Sequence, residues 1–232
     1  ERNWGYRSYR SQEALTEAYL GLIEKLHPLL GDPGLSAAVY TQTTDVEIEV
    51  NGLMTYDRAV VKVPVDRICT AHQKLFDPPP VIRDLVPTSQ KEPQTWRHTT
   101  DKPAENWMKP DFDDAGWKTG HGGFGTEGTP GAVIGTEWKS DDIWIRRSFA
   151  LPERWPNDLR LRLHHDEDAE VYINGVLAAK VSGFVTDYQT VRLSSEAAAA
   201  LRPGKNLFAV HCHQTTGGQY IDVGLSALES AR

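Results

Sequence analysis

The periodicity of the apolar residues changes once along this chain of 232 residues, and a proline-rich segment marks the change. Before residue 77 the apolar residues recur at helical spacing around one short apolar run, whereas from Trp96 onward they alternate as in half-buried strands. The run Pro78-Pro79-Pro80 and two later prolines favour an extended connection between the two patterns. The sequence therefore predicts two domains and a linker, over residues 1–77, 95–232 and 78–94 respectively.

The first region predicts two helices with a strand between them. Apolar residues within Ser11 to Leu30 fall on one helical face, and Ser11 is a suitable N-cap. A second helix is expected from Val65 to Phe76, with Val65, Ile68, Leu75 and Phe76 buried. Between them, Leu35 to Tyr40 is apolar on both sides, which is typical of a buried parallel strand. A dense polar stretch follows directly, as at the carboxyl ends of strands where ligand sites of α/β proteins lie.

The sequence of the second region predicts an antiparallel β-sandwich. Short alternating strands recur between turns, and Asn174-Gly175 predicts a two-residue hairpin because both turn positions need positive φ. A short helix is expected over Ser195 to Leu201, and the last strands over Lys205 to His213 and Tyr220 to Leu228. Three tryptophans are expected to anchor the core rather than a ligand, namely Trp96, Trp107 and Trp117.

The stretch YTQTTDVEIEVNGLMTYDR, residues 40–58, closely resembles the last strand and following loop of the catalytic barrel in glycoside hydrolase family 2. This is the β-galactosidase and β-glucuronidase group. Residues 1–6 resemble the segment after the seventh strand of that barrel, and the resemblance covers roughly residues 1–75. It implies that residues 1–77 form the end of a (β/α)8 barrel and that the parent enzyme hydrolyses O-glycosidic bonds.

Residues 95–228 resemble the galactose-binding-like jelly roll of sugar-binding domains in glycosidases. The segments that carry this resemblance are 112–117, 143–149, 171–175 and 201–206. The expected fold is therefore an α/β fragment, the end of a (β/α)8 barrel, plus an all-β galactose-binding-like jelly-roll sandwich. A complete barrel needs about 250 residues, so we expect this chain to be the C-terminal portion of a longer β-glycosidase.

No catalytic residue is predicted in this chain. Retaining hydrolysis needs two carboxyl groups about 5–5.5 Å apart. The resemblance implies glutamates that end the fourth and seventh barrel strands, and both positions precede Glu1. Glu47 and Glu49 would share one face of an extended segment. They are open to three interpretations: a local catalytic pair, substrate or supporting contacts, or solvated acids.

Seven residues of the first region are predicted to bind substrate. Trp4 and Tyr6 offer aromatic faces for a pyranose ring. The polar residues Gln42, Asp45 and Asn51 offer the donors and acceptors that sugar hydroxyls need, and Glu47 and Glu49 complete the set. Tyr40, inside the apolar strand, is expected to be core filler.

In the sandwich, carbohydrate binding is predicted for residues in loops or at strand ends, namely Trp138, His165, Asp168, Tyr188, His213 and Gln214. Alternation places His211 and His213 on one face, which allows a zinc site if a third ligand exists. Asp166, Asp168 or Asp222 would suit a structural calcium. Loop-ordering hydrogen bonds are the favoured interpretation, and no cofactor or metal is expected.

The composition restricts the partners. A net charge of −7 argues against nucleic acid and anionic membranes, and no apolar run has transmembrane length. The expected partners are an oligo- or polysaccharide and the remainder of the parent glycosidase. The alternatives are a non-catalytic carbohydrate-binding module and a structural or oligomerisation sandwich. Two cysteines build no disulfide framework; the compartment stays open, with a bacterial periplasmic or extracellular location favoured over the cytoplasm.

Overall fold

The change of periodicity coincides with a division of the structure, which is a computed structural model. The structure describes residues 7–31 and 34–229. The helical part, up to Ile82, forms one unit, and Arg83–Leu228 forms the other. The division falls between Ile82 and Arg83, inside the segment predicted as the linker. A strand over residues 81–86 begins two residues before this division, and its Leu85 and Val86 side chains pack in the core of the β unit.

The first unit contains both predicted helices. Helix α1 spans Gln12–Gly31, and Ser11 caps it by accepting a hydrogen bond from the Ala14 N–H at 3.1 Å. Helix α2 spans Val65–Gln73 and continues as a 3₁₀ turn over Lys74–Phe76.

The core of the first unit is small. Its four buried apolar residues come from the two helices and the segment before α2, namely Tyr19, Ile23, Val63 and Ile68. The predicted burial of Val65 and Phe76 is wrong: Val65 is exposed and the Phe76 side chain is 91% exposed. The reason is that α1 and α2 bury only the faces that they turn to each other.

The strand predicted over Leu35 to Tyr40 is also wrong within this chain. These residues are not in a strand, and Val39 is 88% exposed. A parallel strand needs neighbours on both edges and a cover on both faces, and the described part of the first unit contains no strand to pair with it. The segment that follows is a loop with isolated bridges between Thr44 and Met54, Val46 and Glu49, and Met54 and Val61.

The second unit is an all-β sandwich with one short helix, α3, over Ser195–Ala200. Its strands are β1 Val81–Val86, β2 Thr95–Thr99, β3 Lys118–His121, β4 Phe124–Gly125, β5 Thr136–Glu137, β6 Asp142–Leu151, β7 Leu159–Asp166, β8 Asp168–Ile173, β9 Val176–Val181, β10 Gln189–Arg192, β11 Gly204–His213 and β12 Tyr220–Glu229. The strands and the helix predicted over this region are thus confirmed.

The strands form two six-stranded sheets. The first has the order β10-β7-β12-β4-β5, with β1 also paired to β12. The second has the order β3-β2-β6-β11-β8-β9, and all its pairs are antiparallel. The core holds buried apolar residues from both sheets, including Trp96, Leu161 and Phe208. Trp96 and Trp107 are buried as predicted, while Trp117 is half-buried against Phe112.

The hairpin between β8 and β9 turns at Asn174-Gly175, as predicted. Both residues have positive φ, 51° and 85°, which a type I′ turn requires. The Asn174 side chain also fixes the loop before β11. Its Nδ2 donates to the carbonyl of Ala200 and to Asn206 Oδ1, each at 2.8 Å, and its Oδ1 accepts from the Leu207 N–H at 2.9 Å.

Among the residues that the structure describes, no helix is both long and apolar enough to cross a membrane.

We expect Asn174→Ala to lower the free energy of unfolding by roughly 2–3 kcal/mol, because alanine resists positive φ and the side-chain hydrogen bonds are lost. Asn174→Gly should cost less, because glycine adopts this φ freely. Urea denaturation of the two variants measures the difference. Equal stability of both variants and the parent chain would contradict the assigned turn.

Candidate functional site

Three of the predicted substrate-binding residues meet in the loop after residue 40 of the first unit. Gln42 Nε2 donates to Asn51 Oδ1 at 3.0 Å and to Glu49 Oε2 at 3.4 Å. Tyr40 Oη donates to the Asn51 carbonyl at 3.0 Å, which holds the same segment. We call Gln42, Glu49 and Asn51 the amide cluster. It is half-buried, so it combines fixed positions with access to solvent.

Asp45 lies within this loop and makes structural contacts. The residue is buried, and its Oδ1 accepts from the Gly52 N–H at 2.9 Å and from Lys62 Nζ at 2.5 Å. Lys62 Nζ also donates to the Val50 carbonyl at 2.9 Å. A side chain at Gly52 would collide with the Asp45 backbone, since its Cβ would lie 2.3 Å from the Asp45 nitrogen. Asp45 therefore orders the loop that carries the amide cluster.

Glu47 and Glu49 do not form the extended pair considered from the sequence. The N–H and carbonyl groups of Val46 and Glu49 bond to each other at 3.0 and 2.9 Å, and Glu47 has a φ of 51°. The segment is a tight turn, so the two side chains do not share one strand face. Glu47 is exposed, whereas Glu49 faces Gln42.

The aromatic predictions in this unit have separate outcomes. Trp4 and Tyr6 lie outside the described residues. Tyr40 packs edge-on against Tyr19, with ring centroids 5.1 Å apart, yet it remains partly exposed. Burial raises the pKa of the Tyr40 hydroxyl, and the nearby Asp45 adds to that increase. Tyr40 therefore covers part of the small core. It is less buried than the core residue that the sequence predicted, but its ring is not free to stack on a sugar from both sides.

Three of the six predicted sugar-binding residues in the sandwich are buried and already have partners, so they do not present a surface. Trp138 Nε1 donates to Ser140 Oγ at 3.0 Å, and His165 Nδ1 bonds to the Glu167 carbonyl at 2.7 Å. Tyr188 Oη donates to Asp222 Oδ2 at 2.6 Å. The sequence signal for these residues was their place in loops and at strand ends, which does not reveal the neighbours that cover them.

Tyr188 belongs to a buried polar network around Asp222. The Asp222 carboxylate also accepts from the N–H groups of Ser89, at 2.6 Å, and Val223, at 3.0 Å. Burial raises the pKa of Asp222 to about 6, although these hydrogen bonds act in the opposite direction. Burial also raises the pKa of the neighbouring Tyr220 to about 12. The network joins three parts of the sandwich that are distant in sequence.

The other three predicted residues meet where β6, β8 and β11 place their ends together. His213 on β11 lies opposite Asp142 on β6 and Asp168 on β8, and Gln214 follows it. His213 Nδ1 bonds to Asp142 Oδ1 at 2.9 Å. We call Asp142, Asp168, His213 and Gln214 the strand-end cluster. Asp142 was not predicted from the sequence, because its position beside His213 depends on the register of the paired strands.

Asp142 is the centre of the strand-end cluster. His211 Nε2 also bonds to its Oδ1, at 2.7 Å, which confirms that His211 and His213 share a face. Burial alone would raise the pKa of Asp142, but the hydrogen bonds from the two histidines outweigh it and lower that pKa. The His211 ring stacks on Trp144 with centroids 4.7 Å apart. Gln214 Oε1 is buried and has no hydrogen-bond partner among the described residues.

The described residues contain no group of three or more histidine, cysteine or acidic side chains arranged to hold a metal ion. Asp142 contributes an oxygen near the two histidines, but both nitrogens bond to that same oxygen. Asp222 is surrounded by hydrogen-bond donors, and Asp168 Oδ1 accepts from the Gly183 N–H at 2.9 Å. These acids order loops and strand ends, as the favoured interpretation expected.

Solved structures that resemble this chain are β-glucuronidases and β-glycosidases, some of them described as glycoside hydrolase family 2. The β-glucuronidase of Bacteroides uniformis is 22% identical over 60% of this chain and 18% of its own, with a TM-score of 0.43. A β-glycosidase from Bacteroides vulgatus is 16% identical over 62% of this chain and 20% of its own, with a TM-score of 0.40. A family 2 member from Bacteroides cellulosilyticus is also 16% identical, over 61% and 20%, with a TM-score of 0.41.

This chain spans about a fifth of the length of those structures. No protein-family model and no curated protein matches its sequence.

The buried carboxyl of Asp222 should make stability depend on pH. Its pKa is raised from 3.8 to about 6 in the folded protein. The stability that the proton contributes is therefore present below about pH 4 and is lost as the pH rises through about 6. Relative to Asp222→Asn, the parent chain should lose roughly 2–3 kcal/mol of unfolding free energy between about pH 4 and 7.

Urea denaturation across this pH range measures the difference. The control Asp111→Asn, at an exposed acid, should keep the parental pH profile. A parallel profile for Asp222→Asn would show that the Asp222 pKa is not raised.

Proposed function

We propose that this chain is the C-terminal portion of a family 2-like β-glycosidase. In this proposal residues 1–77 are the closing strand, loop and helix of the catalytic (β/α)8 barrel, and residues 95–232 are an accessory jelly-roll sandwich. The whole enzyme would hydrolyse O-glycosidic bonds. The nucleophile and acid/base glutamates implied by the sequence resemblance have no counterpart here, so the chain contributes a wall of the substrate site rather than the reacting groups.

The observation that carries this proposal is the exposure of a segment whose composition is typical of a buried one. Val39, Ile48 and Val50 are 88%, 77% and 72% exposed. Full burial of one such side chain is worth about 1.5–3 kcal/mol, and large exposed apolar patches mark interaction surfaces. Neighbouring strands and helices of a barrel would cover this segment and pair its backbone.

The amide cluster supports the assignment of a substrate wall. In (β/α)8 barrels the loops after the carboxyl ends of the strands form the active site. Gln42, Glu49 and Asn51 follow the strand-like stretch directly and are linked to each other, so their side chains are held in place. Amide and carboxylate groups offer the mixture of donors and acceptors that sugar hydroxyls require.

For the sandwich we propose an accessory carbohydrate-binding role at the strand-end cluster. The exposed imidazole of His213 and the fixed carboxylate of Asp142 lie together there, and Gln214 follows His213 at the end of the strand. The partners would be an oligo- or polysaccharide and the remainder of the glycosidase. A second candidate is a structural or oligomerisation sandwich, which the burial of Trp138, His165 and Tyr188 favours.

The first test uses the longer polypeptide that carries this sequence. Asn51→Ala should lower kcat/KM for an aryl β-glycoside by about tenfold, because one substrate hydrogen bond is worth up to about 1.5 kcal/mol. Thermal melting should remain parental. Asp45→Ala should instead destabilise the enzyme, because it removes the only carboxylate paired with the Lys62 ammonium group among the described residues and the hydrogen bond to the Gly52 N–H.

The matched control is Asn157→Ala, an exposed asparagine in the sandwich. If Asn51→Ala and Asn157→Ala have the same kcat/KM, the amide cluster does not touch the substrate.

The second test concerns the sandwich. The 232-residue chain should bind at least one neutral oligosaccharide of a glycan array, and calorimetry should give millimolar to micromolar affinity. His213→Ala should weaken it several-fold, because it removes an exposed polar group. Gln214→Ala should weaken it less, because Gln214 Oε1 is buried and its amide nitrogen donates to the Gly217 and Gly218 carbonyls. His121→Ala, at an exposed histidine outside the cluster, should not weaken it. Absence of any neutral ligand would favour the structural sandwich.

A further inference from the structure

A polar cavity lies in the sandwich, at the opposite end of the second sheet from the strand-end cluster. It has a volume of about 350 Å³ and is bounded by β6, the β8–β9 hairpin, the start of β11 and residues 110–114. From its charge and its walls we infer that this cavity, which we call the cationic cavity, binds the carboxylate or sulfate group of an acidic sugar. The sugar part of the inference rests on the proposed function, whereas the anion part does not.

Arg146 forms the fixed positive wall of the cavity. Its residue is only 2% exposed, and its Nε donates to Asp114 Oδ2 at 2.7 Å. The other guanidinium nitrogens donate to backbone carbonyls, including those of Lys109 at 3.1 Å and Phe112 at 3.3 Å. The guanidinium carbon also lies 5.2 Å from the centre of the Phe112 ring. These contacts hold the loop that carries Phe112 in one position.

The opposite rim carries two cations with unused donors. Arg202 Nε donates to the Lys205 carbonyl at 3.1 Å. Among the described residues, the Arg202 Nη atoms and Lys205 Nζ have no hydrogen-bond or ion-pair partner. The buried Asn206 orders this rim, because its side chain bonds to the N–H and carbonyl of Arg202 and to the Gly204 carbonyl. The two cations therefore stand on a fixed turn.

The balance of charge selects an anion. Among the described residues that line the cavity, the cations are Arg146, Arg202 and Lys205, and the only acid is Asp114. Asp114 is already paired with Arg146, so the two rim cations remain uncompensated. The chain as a whole carries a net charge of −7, so this local excess of positive charge is opposite in sign to the charge of the whole chain. Charge-assisted hydrogen bonds from such groups to carboxylate or sulfate are the strong ones.

The remaining walls fit a sugar ring rather than a bare ion. Pro110 and Phe112 supply apolar surface, and Ser148 and Asn174 supply polar groups beside it. The volume falls in the range of small-molecule sites, about 300–1,000 Å³, and is larger than one inorganic anion needs. An acidic sugar would place its charged group against Arg202 and Lys205 and its ring against Phe112.

The test is calorimetry of the 232-residue chain at low ionic strength with four probes. These are methyl β-D-glucuronide, galactose 6-sulfate, neutral methyl β-D-glucoside and inorganic phosphate. We expect one or both acidic sugars to bind, with the tighter one identifying the charged group. The double variant Arg202→Gln/Lys205→Gln should weaken that binding at least about tenfold. Lys205→Gln alone, which removes no hydrogen bond of the described structure, should weaken it in part.

The control Lys118→Gln/Arg154→Gln changes the net charge equally at exposed residues outside the cavity, and its affinity should be parental. Acidic sugars that bind no better than the glucoside, or unchanged affinity in the double variant, would overturn the inference. Phosphate binding as tight as that of the acidic sugars would overturn its sugar part. Neutral oligosaccharide binding at the strand-end cluster should be the same in the double variant and the parent. If acidic sugars do not bind the cationic cavity, the proposed function of the strand-end cluster is therefore unaffected.

Discussion

Backbone pairing is the constraint on which this structure depends. Each strand must find a partner for its N–H and carbonyl groups, since unpaired buried groups are costly. In the sandwich β11 is paired along both edges, with β6 over ten residues and with β8 over six. In the first unit the apolar stretch before the amide cluster forms no strand pair, and its only backbone hydrogen bond among the described residues runs from the Leu35 N–H to the Leu29 carbonyl at 2.7 Å. The need to pair backbone groups is thus met in the sandwich, which has a large buried core. It is not met in the first unit, which has only a small core.

The paired central strands also determine where function can lie. Because β6, β8 and β11 are in fixed register, their two ends present different chemistry. One end collects Asp142, His213 and Gln214, and the other collects Arg146, Arg202 and the hairpin turn. The interior of the sandwich is occupied by apolar packing and by the Asp222 network, which holds its side chains away from solvent. Recognition by the sandwich is therefore expected at the strand ends rather than in its core.

Local rules explain which features were predictable from the sequence. The Asn174-Gly175 turn was predictable because few residue pairs accept positive φ twice, and the shared face of His211 and His213 follows from alternation. The burial of Tyr188 was not predictable, because its partners Asp222 and Tyr220 approach it only in the folded sheet. Asp142 was missed for the same reason. Val39 was expected to be buried because the apolar pattern of its segment is typical of a strand between two other strands. The described residues contain no such neighbouring strands, so Val39 is exposed.

The central claim is that residues 36–40, which are not in a strand in this structure, need neighbouring strands in order to form one. Hydrogen–deuterium exchange tests it directly in the 232-residue chain and in the longer glycosidase polypeptide that the proposed function implies. The account predicts that the amides of residues 36–40 exchange almost without protection in the 232-residue chain and become strongly protected in the longer one. Protection in the 232-residue chain equal to that of the β11 amides would contradict the account.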